Sequence, residues 1–230
     1  MIKVIAFDLD DTLWAVKPII IRAEKKLNDF LHQSIDQLEY DVERMRELRD
    51  EVIQEDPTLV NQITEFRRRL IVKALEKSGQ TPARADLVSR EAIEVFLKAR
   101  NEIEFFEGVL ETIELLAEDF ILGALTNGNA DVGRLGLDKY FSFAFSAEDV
   151  GAPKPAPNLF EHAMRHNNIS AAAMLYVGDH PVHDIDAAKA LGLRTVWVKN
   201  RDWDELGDHE PDETISHVSE LPAALARLKK

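Results

Sequence analysis

The chain has no cysteine, which excludes a disulfide framework, a thiolate metal site and thiol catalysis, and fits a reducing compartment. It is also poor in positive charge: 28 lysine and arginine residues against 42 aspartate and glutamate residues give a formal net charge of −14. General nucleic-acid and anionic-membrane binders need basic surface, so neither a nucleic acid nor a membrane is expected as a partner. An acidic surface also disfavours long-range capture of an anion, so a phosphate site here has to work locally, through a metal or a fixed lysine. No apolar run approaches the roughly 18 residues of a membrane span, and only one lysine precedes Asp8. A soluble cytoplasmic protein is the expectation. Repeats and low-complexity tracts are missing as well, and from about residue 15 to residue 100 Gly79 is the only glycine.

What is present begins at the first residues. The apolar run Val4-Ile5-Ala6-Phe7 leads directly into Asp8-Leu9-Asp10-Asp11-Thr12. Strand side chains alternate, so Asp8 and Asp10 leave the backbone on the same side if the chain stays extended. Two carboxylates held together where a buried strand ends are costly unless a cation or a proton resolves their repulsion. Metal-dependent acid chemistry is the natural resolution.

The glycine-poor block carries apolar residues at helical spacing. Leu38, Val42, Met45, Leu48 and Val52 make one stripe, and Leu59, Ile63, Phe66, Leu70 and Ala74 make another. Pro57 opens the second and Gly79 closes it, while Thr81-Pro82 starts a further helix. From Phe105 the pattern alternates between strand and helix. Phe120–Leu125, Phe141–Phe145, Met174–Val177 and Thr195–Val198 read as buried strands, separated by helical stretches at Val109–Ala117, Asn158–His166 and Ile185–Leu191. With Val4–Phe7 these make about five strands in βα order, hence an α/β fold with a doubly wound, Rossmann-like parallel sheet. The helical block, residues 16–101, is an inserted α-helical cap, and residues 1–15 and 102–230 form the core. Three loops join the Asp8/Asp10 loop at the carboxyl edge of the sheet: Thr126-Asn127-Gly128-Asn129, Gly151 to Pro155 with Lys154, and Gly178-Asp179 through Asp184.

In order along the chain, Asp8-x-Asp10-x-Thr12, Thr126, Lys154-Pro155 and Gly178-Asp179 with Asp184 resemble the four motifs of the haloacid dehalogenase superfamily, in its branch with a helical C1 cap. Closer similarity is to bacterial phosphatases acting on flavin mononucleotide and on a phosphorylated ribitylaminouracil precursor of riboflavin. It rests on the stretches from Phe7 to Trp14, from Pro18 to Glu24, Thr64-Glu65-Phe66-Arg67, and from Thr126 to Ala130. The resemblance implies a phosphomonoester hydrolase that acts on a small phosphorylated metabolite. Asp8 is then the nucleophile that forms an aspartyl-phosphate, and Asp10 the general acid and base. Thr126, Asn127 and Lys154 hold the phosphoryl group, and Mg²⁺ is the cofactor. Its ligands would be Asp8, the Asp10 carbonyl and Asp179, with Asp184 a ligand or an indirect partner. Superfamily alternatives are 2-haloacid dehalogenase, which lacks an acid at the Asp10 position and needs no metal, and sugar-phosphate mutase.

Other readings stay open at this level. His183 stands where this branch often has Asn, so His183 or His180 could touch the site, although a loop histidine is more often solvated. His162 and His166 share a helix face but lack a third ligand. Arg67 could meet a substrate anion, and Trp14 or Phe106 could stack on a flat substrate or simply pack. The Leu38–Val52 stripe could be a dimer seam or internal packing, so monomer and homodimer both remain. An EF-hand fails for want of glycine at the sixth loop position, and the Gly128–Gly133 spacing lacks the Lys-Ser/Thr of a P-loop. The tail from Asn200 shows no chemistry beyond a terminal helix at Leu221–Leu228.

Overall fold

The computed structural model describes residues 1–36, 38, 42–201, 203 and 207–228. The chain divides into two compact units, Met1–Val16 with Ile103–Lys230, and Lys17–Glu102. The first unit is built on a six-stranded parallel sheet: β1 (Val4–Phe7), β2 (Ile121–Thr126), β3 (Phe141–Ser146), β4 (Met174–Gly178), β5 (Arg194–Val198) and β6 (Glu213–Ile215). Their spatial order is β3-β2-β1-β4-β5-β6. Strand β1 lies at the centre of the sheet between β2 and β4, with Val4 opposite both Ile121 and Met174, and all four of its residues are buried. A strand covered on both faces needs an unbroken apolar run, which is why Val4–Phe7 does not alternate. Edge strand β3 does alternate, burying Phe141 and Phe143 between exposed neighbours.

The order of strands reverses between β1 and β4, and in open α/β sheets the crevice at that switch point is where ligands bind. The loops leaving β1 and β4 carry Asp8 and Asp179. Helices α5 (Val109–Ala117), α6 (Ala147–Val150), α7 (Asn158–His166), α8 (Ala187–Ala190) and α9 (Leu221–Leu228) complete this unit. Val4, Ala6, Leu125, Leu159, Phe160, Met174 and Tyr176 meet in one buried cluster on the α7 side.

Two features of the core differ from the sequence reading. Strand β6 is an addition: three residues, Glu213-Thr214-Ile215, pair with β5 at the sheet edge, too short and too polar to show as an apolar run. The helix expected over Ile185–Leu191 is split, with a wide π-type turn at Pro181–Asp186 followed by the short α8.

The second unit is helical, with α1 (Val16–Ser34) running into it, then α2 (Val42–Glu55), α3 (Ile63–Lys77) and α4 (Pro82–Arg100). Ala23, Leu27, Leu31, Ile71, Leu75, Val88, Ala92 and Phe96 form its core. Thr81 caps α4 by accepting from the Arg84 amide at 3.4 Å, with Pro82 in the first turn, where a missing N–H costs nothing. The second stripe is interrupted: Pro57–Asn61 is a 3₁₀ turn capped by Asp56, and α3 starts only at Ile63. That turn packs Leu59 against Val52 and Phe66. Leu48 and Val52 of the first stripe are buried within the single chain, so internal packing accounts for them. The side chain of Val42 lies outside the described residues.

Candidate active site

The loop after β1 is bonded to itself. The Asp8 amide donates to the Val177 carbonyl at 2.8 Å, carrying the ladder one residue past the strand. Asp11 then adopts a left-handed φ of 59°, which aspartate tolerates better than most residues. Its carboxylate accepts from the Val16 amide at 2.9 Å, and its amide donates to the Trp14 carbonyl at 2.8 Å. Trp14 is fully buried, edge-on to Phe105 at 5.6 Å, and its indole N–H donates to Asp10 Oδ1 at 2.9 Å. Trp14 therefore packs in the core and orients Asp10, and it does not present a free face to a ligand.

Lys154 lies at the centre. Its ammonium is 2.7 Å from Asp8 Oδ1, 2.7 Å from Asp184 Oδ1, 2.6 Å from the Tyr176 hydroxyl and 3.0 Å from the Leu125 carbonyl. Three N–H donors serve the two carboxylates and the tyrosine, whose own O–H reaches the Leu125 carbonyl at 3.1 Å. The Asn127 side-chain amide brackets the Lys154 backbone, accepting from its N–H at 2.7 Å and donating to its carbonyl at 2.9 Å. Asn127 thus holds the lysine loop, with its side-chain amide engaged on both sides. Thr126 is buried, and its hydroxyl accepts from the Gly128 amide at 2.9 Å.

From the β4 side, Asp179 Oδ1 accepts from the Thr12 hydroxyl at 3.2 Å, and its carbonyl accepts from the Trp197 indole at 2.7 Å. Asp184 uses Oδ1 on Lys154 and Oδ2 on the His180 amide at 2.9 Å. Gly178 is required here, because a Cβ would lie 2.5 Å from the Asp184 carboxyl carbon. Asp8, Asp10, Thr126, Asn127, Lys154, Asp179 and Asp184 all line one cavity of about 170 Å³.

One ammonium against three buried carboxylates leaves an excess of negative charge. Burial pushes the Asp8 carboxyl well up; Lys154 opposes this, and Asp184 and Asp179 add to it. Burial, with Asp184 and Asp11 nearby, raises Asp179 to about 7. Burial pulls Lys154 down, but Asp184 and Asp8 outweigh it and the ammonium is held above its ordinary value. Burial also raises Tyr176, keeping its hydroxyl neutral. The metal-free cluster therefore binds a proton more readily than isolated aspartates do. Asp8, Asp179 and Asp184 each offer an oxygen within 4.8 Å of the others. Such a set of hard oxygen donors fits Mg²⁺.

Among the other candidates, His180 and His183 line the same cavity with rings stacked at 3.9 Å. His180 Nδ1 caps the wide turn, accepting from the Val182 and His183 amides at 3.2 Å each. His162 and His166 pack against Phe145, with centroids 4.4 and 5.3 Å away, which makes them part of an aromatic cluster. Arg67 is engaged inside the helical unit, 3.8 Å above the Phe96 ring and 2.6 Å from Glu24.

Three residues escaped the sequence reading: Tyr176, inside an apolar strand and bonded to Lys154 beneath the cavity, and Arg201 and Trp203, which line the cavity from the tail that showed no chemistry. Arg201 is 3.3 Å from both Asp179 Oδ2 and Asp11 Oδ2, with its guanidinium 3.9 Å over the Trp203 ring. The signal available was positional: Asn200-Arg201 follows a strand end at the same sheet edge.

A family model described as haloacid dehalogenase-like hydrolase matches residues 2–192. The chain is 30% identical over 204 residues to the 5-amino-6-(5-phospho-D-ribitylamino)uracil phosphatase YigB of Escherichia coli, covering 88% of this chain and 86% of that protein. It is 43% identical to a crystal structure described as a 2-haloacid dehalogenase from Pseudomonas syringae, with a TM-score of 0.93 and coverage of 99% and 100%. The magnesium-bound hydrolase YfnB of Bacillus subtilis shares the fold, with a TM-score of 0.64 at 22% identity over 97% of this chain and 98% of that one.

Proposed function

This chain belongs to the haloacid dehalogenase-like hydrolase family, and from that premise we propose that it is a Mg²⁺-dependent phosphomonoesterase working through an aspartyl-phosphate. Asp8 attacks phosphorus; a carboxylate oxygen–phosphorus bond forms as the ester oxygen–phosphorus bond breaks. Asp10 gives its proton to the leaving oxygen. Water then attacks the mixed anhydride, Asp10 takes a water proton, and inorganic phosphate leaves Asp8 free again.

Lys154 and the Thr126 loop hold the phosphoryl oxygens, where fixed donors act most strongly because the site is buried. Asp8, the Asp10 carbonyl and Asp179 would hold the cation, and Asp184, with both oxygens engaged, would orient Lys154 and the His180 loop. When bound, Mg²⁺ would supply a positive charge that screens the phosphate from the carboxylates. The substrate is a small phosphorylated metabolite, with flavin mononucleotide and the phosphate named for YigB as first candidates.

The observation that carries this reading is Asp10, a second acid in the Asp8 cavity whose carboxylate is aimed by the Trp14 N–H. The alternative is removal of halide from 2-haloacids, favoured by the 43% identity to a protein described as such a dehalogenase. That reaction uses the same nucleophile but needs neither the acid nor the metal. Phosphate release from p-nitrophenyl phosphate and chloride release from 2-chloropropionate, each with and without EDTA, distinguish the two. We expect phosphate release that stops with EDTA and returns with Mg²⁺. Chloride release that survives EDTA would replace the phosphatase reading.

A further inference from the structure

Arg201 straddles two acids. Its Nη2 lies 3.3 Å from Asp179 Oδ2 and 3.3 Å from Asp11 Oδ2, and its guanidinium carbon lies 3.9 Å from the Trp203 ring centroid. The two carboxylates differ in their surroundings. Asp11 is seated in the β1 loop, where its Oδ1 accepts from the Val16 amide at 2.9 Å. Asp179 belongs to the buried trio whose oxygens converge within 4.8 Å. Its Oδ1 accepts from the Thr12 hydroxyl at 3.2 Å and its Oδ2 from Arg201, so both oxygens are engaged.

These two donors oppose a cation unequally. The Thr12 hydroxyl is neutral and has Asp8 Oδ2 as a second acceptor at 3.4 Å. The Arg201 guanidinium keeps its charge at every working pH. Seated on Asp179, it repels a divalent cation that arrives at the same carboxylate, more strongly than in bulk water because Asp179 is buried.

Lysine and arginine enter the cavity wall, among the described residues, as Lys154 and Arg201. Lys154 cannot give way: its side chain is 2% exposed and it is bonded to Asp8, Asp184, Tyr176 and the Leu125 carbonyl. Arg201 can, because its side chain is 48% exposed and Asp11 and the Trp203 ring already hold it on the other side.

We infer that Arg201 is the built-in counter-ion of the metal site: it neutralises Asp179 while no cation is bound and passes wholly to Asp11 and Trp203 when Mg²⁺ takes Asp179. The inference rests on the Mg²⁺-dependent reading of the site. Arg201 is a positioning residue in this role and takes no part in the bond-making steps. By linkage, the arginine weakens the cation by the same factor as the cation weakens the arginine's hold on Asp179. The buried acid thus keeps a partner whenever the cation leaves.

Mg²⁺ titrated calorimetrically into the full chain, stripped of metal and held at pH 8.5, tests this without turnover. At that pH a proton competes least for Asp179. Arg201→Gln removes the charge, and Arg201→Lys keeps it. We expect Arg201→Gln to bind Mg²⁺ about fivefold more tightly or better, and Arg201→Lys to stay within about twofold of the parent. Without metal, Arg201→Gln should melt earlier than the parent, and saturating Mg²⁺ should raise its midpoint by more. An arginine that merely props the Asp179 loop predicts the reverse order of affinities. If the parent binds Mg²⁺ and Arg201→Gln binds it equally or more weakly, the inference is overturned and the metal reading stands. If neither binds Mg²⁺, the metal reading fails and takes the inference with it.

Discussion

The Trp14 indole N–H joins the hydrophobic core to the acid Asp10. Trp14→Phe keeps an aromatic ring, deletes that donor and leaves part of the buried indole's volume unfilled. A hydrogen bond to a charged group is worth about 1.5–3 kcal/mol, so kcat should fall roughly ten- to a hundredfold with KM little changed, as steady-state kinetics will show. Tyr176→Phe takes one acceptor from Lys154 and leaves the ammonium to its carboxylates and the Leu125 carbonyl. The expected loss is about 1 kcal/mol, read as a shift in the unfolding midpoint and a severalfold drop in kcat. Asp8→Asn should reduce turnover to background. Because the cluster resists a charged Asp8, the metal-free variant should unfold no earlier than the parent at pH 8. None of Tyr176, Arg201 and Trp203 is marked by sequence pattern. Tyr176 sits in an apolar strand where a tyrosine reads as packing, and Arg201 meets Asp179 from 22 residues away.

Strands and turns show the same division. The apolar runs of β1, β2, β4 and β5 were legible because a strand buried on both faces has no other way to be written. β6 was not, being a three-residue edge strand that depends on β5 for its existence. The split after β4 was also hidden, since the wide turn depends on the His180 ring accepting two amides rather than on a helical apolar period. Close approach makes Gly178 the sharpest test at this scale. Gly178→Ala would drive a methyl into the Asp184 carboxyl, displacing it from Lys154 and the His180 amide. We expect a loss of more than tenfold in kcat together with about 1–3 kcal/mol of stability, the usual cost of overpacking, measured by kinetics and denaturant unfolding.

For the whole molecule, the buried acids make stability a function of pH and metal. Asp179 titrates at about 7 in the folded chain, against about 4 for an unperturbed aspartate. Between those values the metal-free folded chain binds more protons than the unfolded one. This contribution to stability is complete below the unfolded value and is lost as pH rises through 7. A bound cation takes the place of the proton, so Mg²⁺ should raise the unfolding midpoint little at pH 5 and by several degrees at pH 8, and EDTA should reverse the gain. Thermal unfolding across that range, with and without Mg²⁺, checks both signs. Among the described residues no helix is long and apolar enough to cross a membrane, consistent with the absence of long apolar runs.

Local chemistry was written in the chain itself: an apolar strand ending in paired aspartates, polar loops at successive strand ends, and a glycine-poor helical insertion. These are short-range signals of period and composition, so they survive without coordinates. Tertiary folding settled what depends on distance between remote residues, namely which groups share Lys154, how far burial moves the carboxyls, and where Arg201 comes to rest. Burial and charge proximity are properties of packing, and no window of sequence contains them.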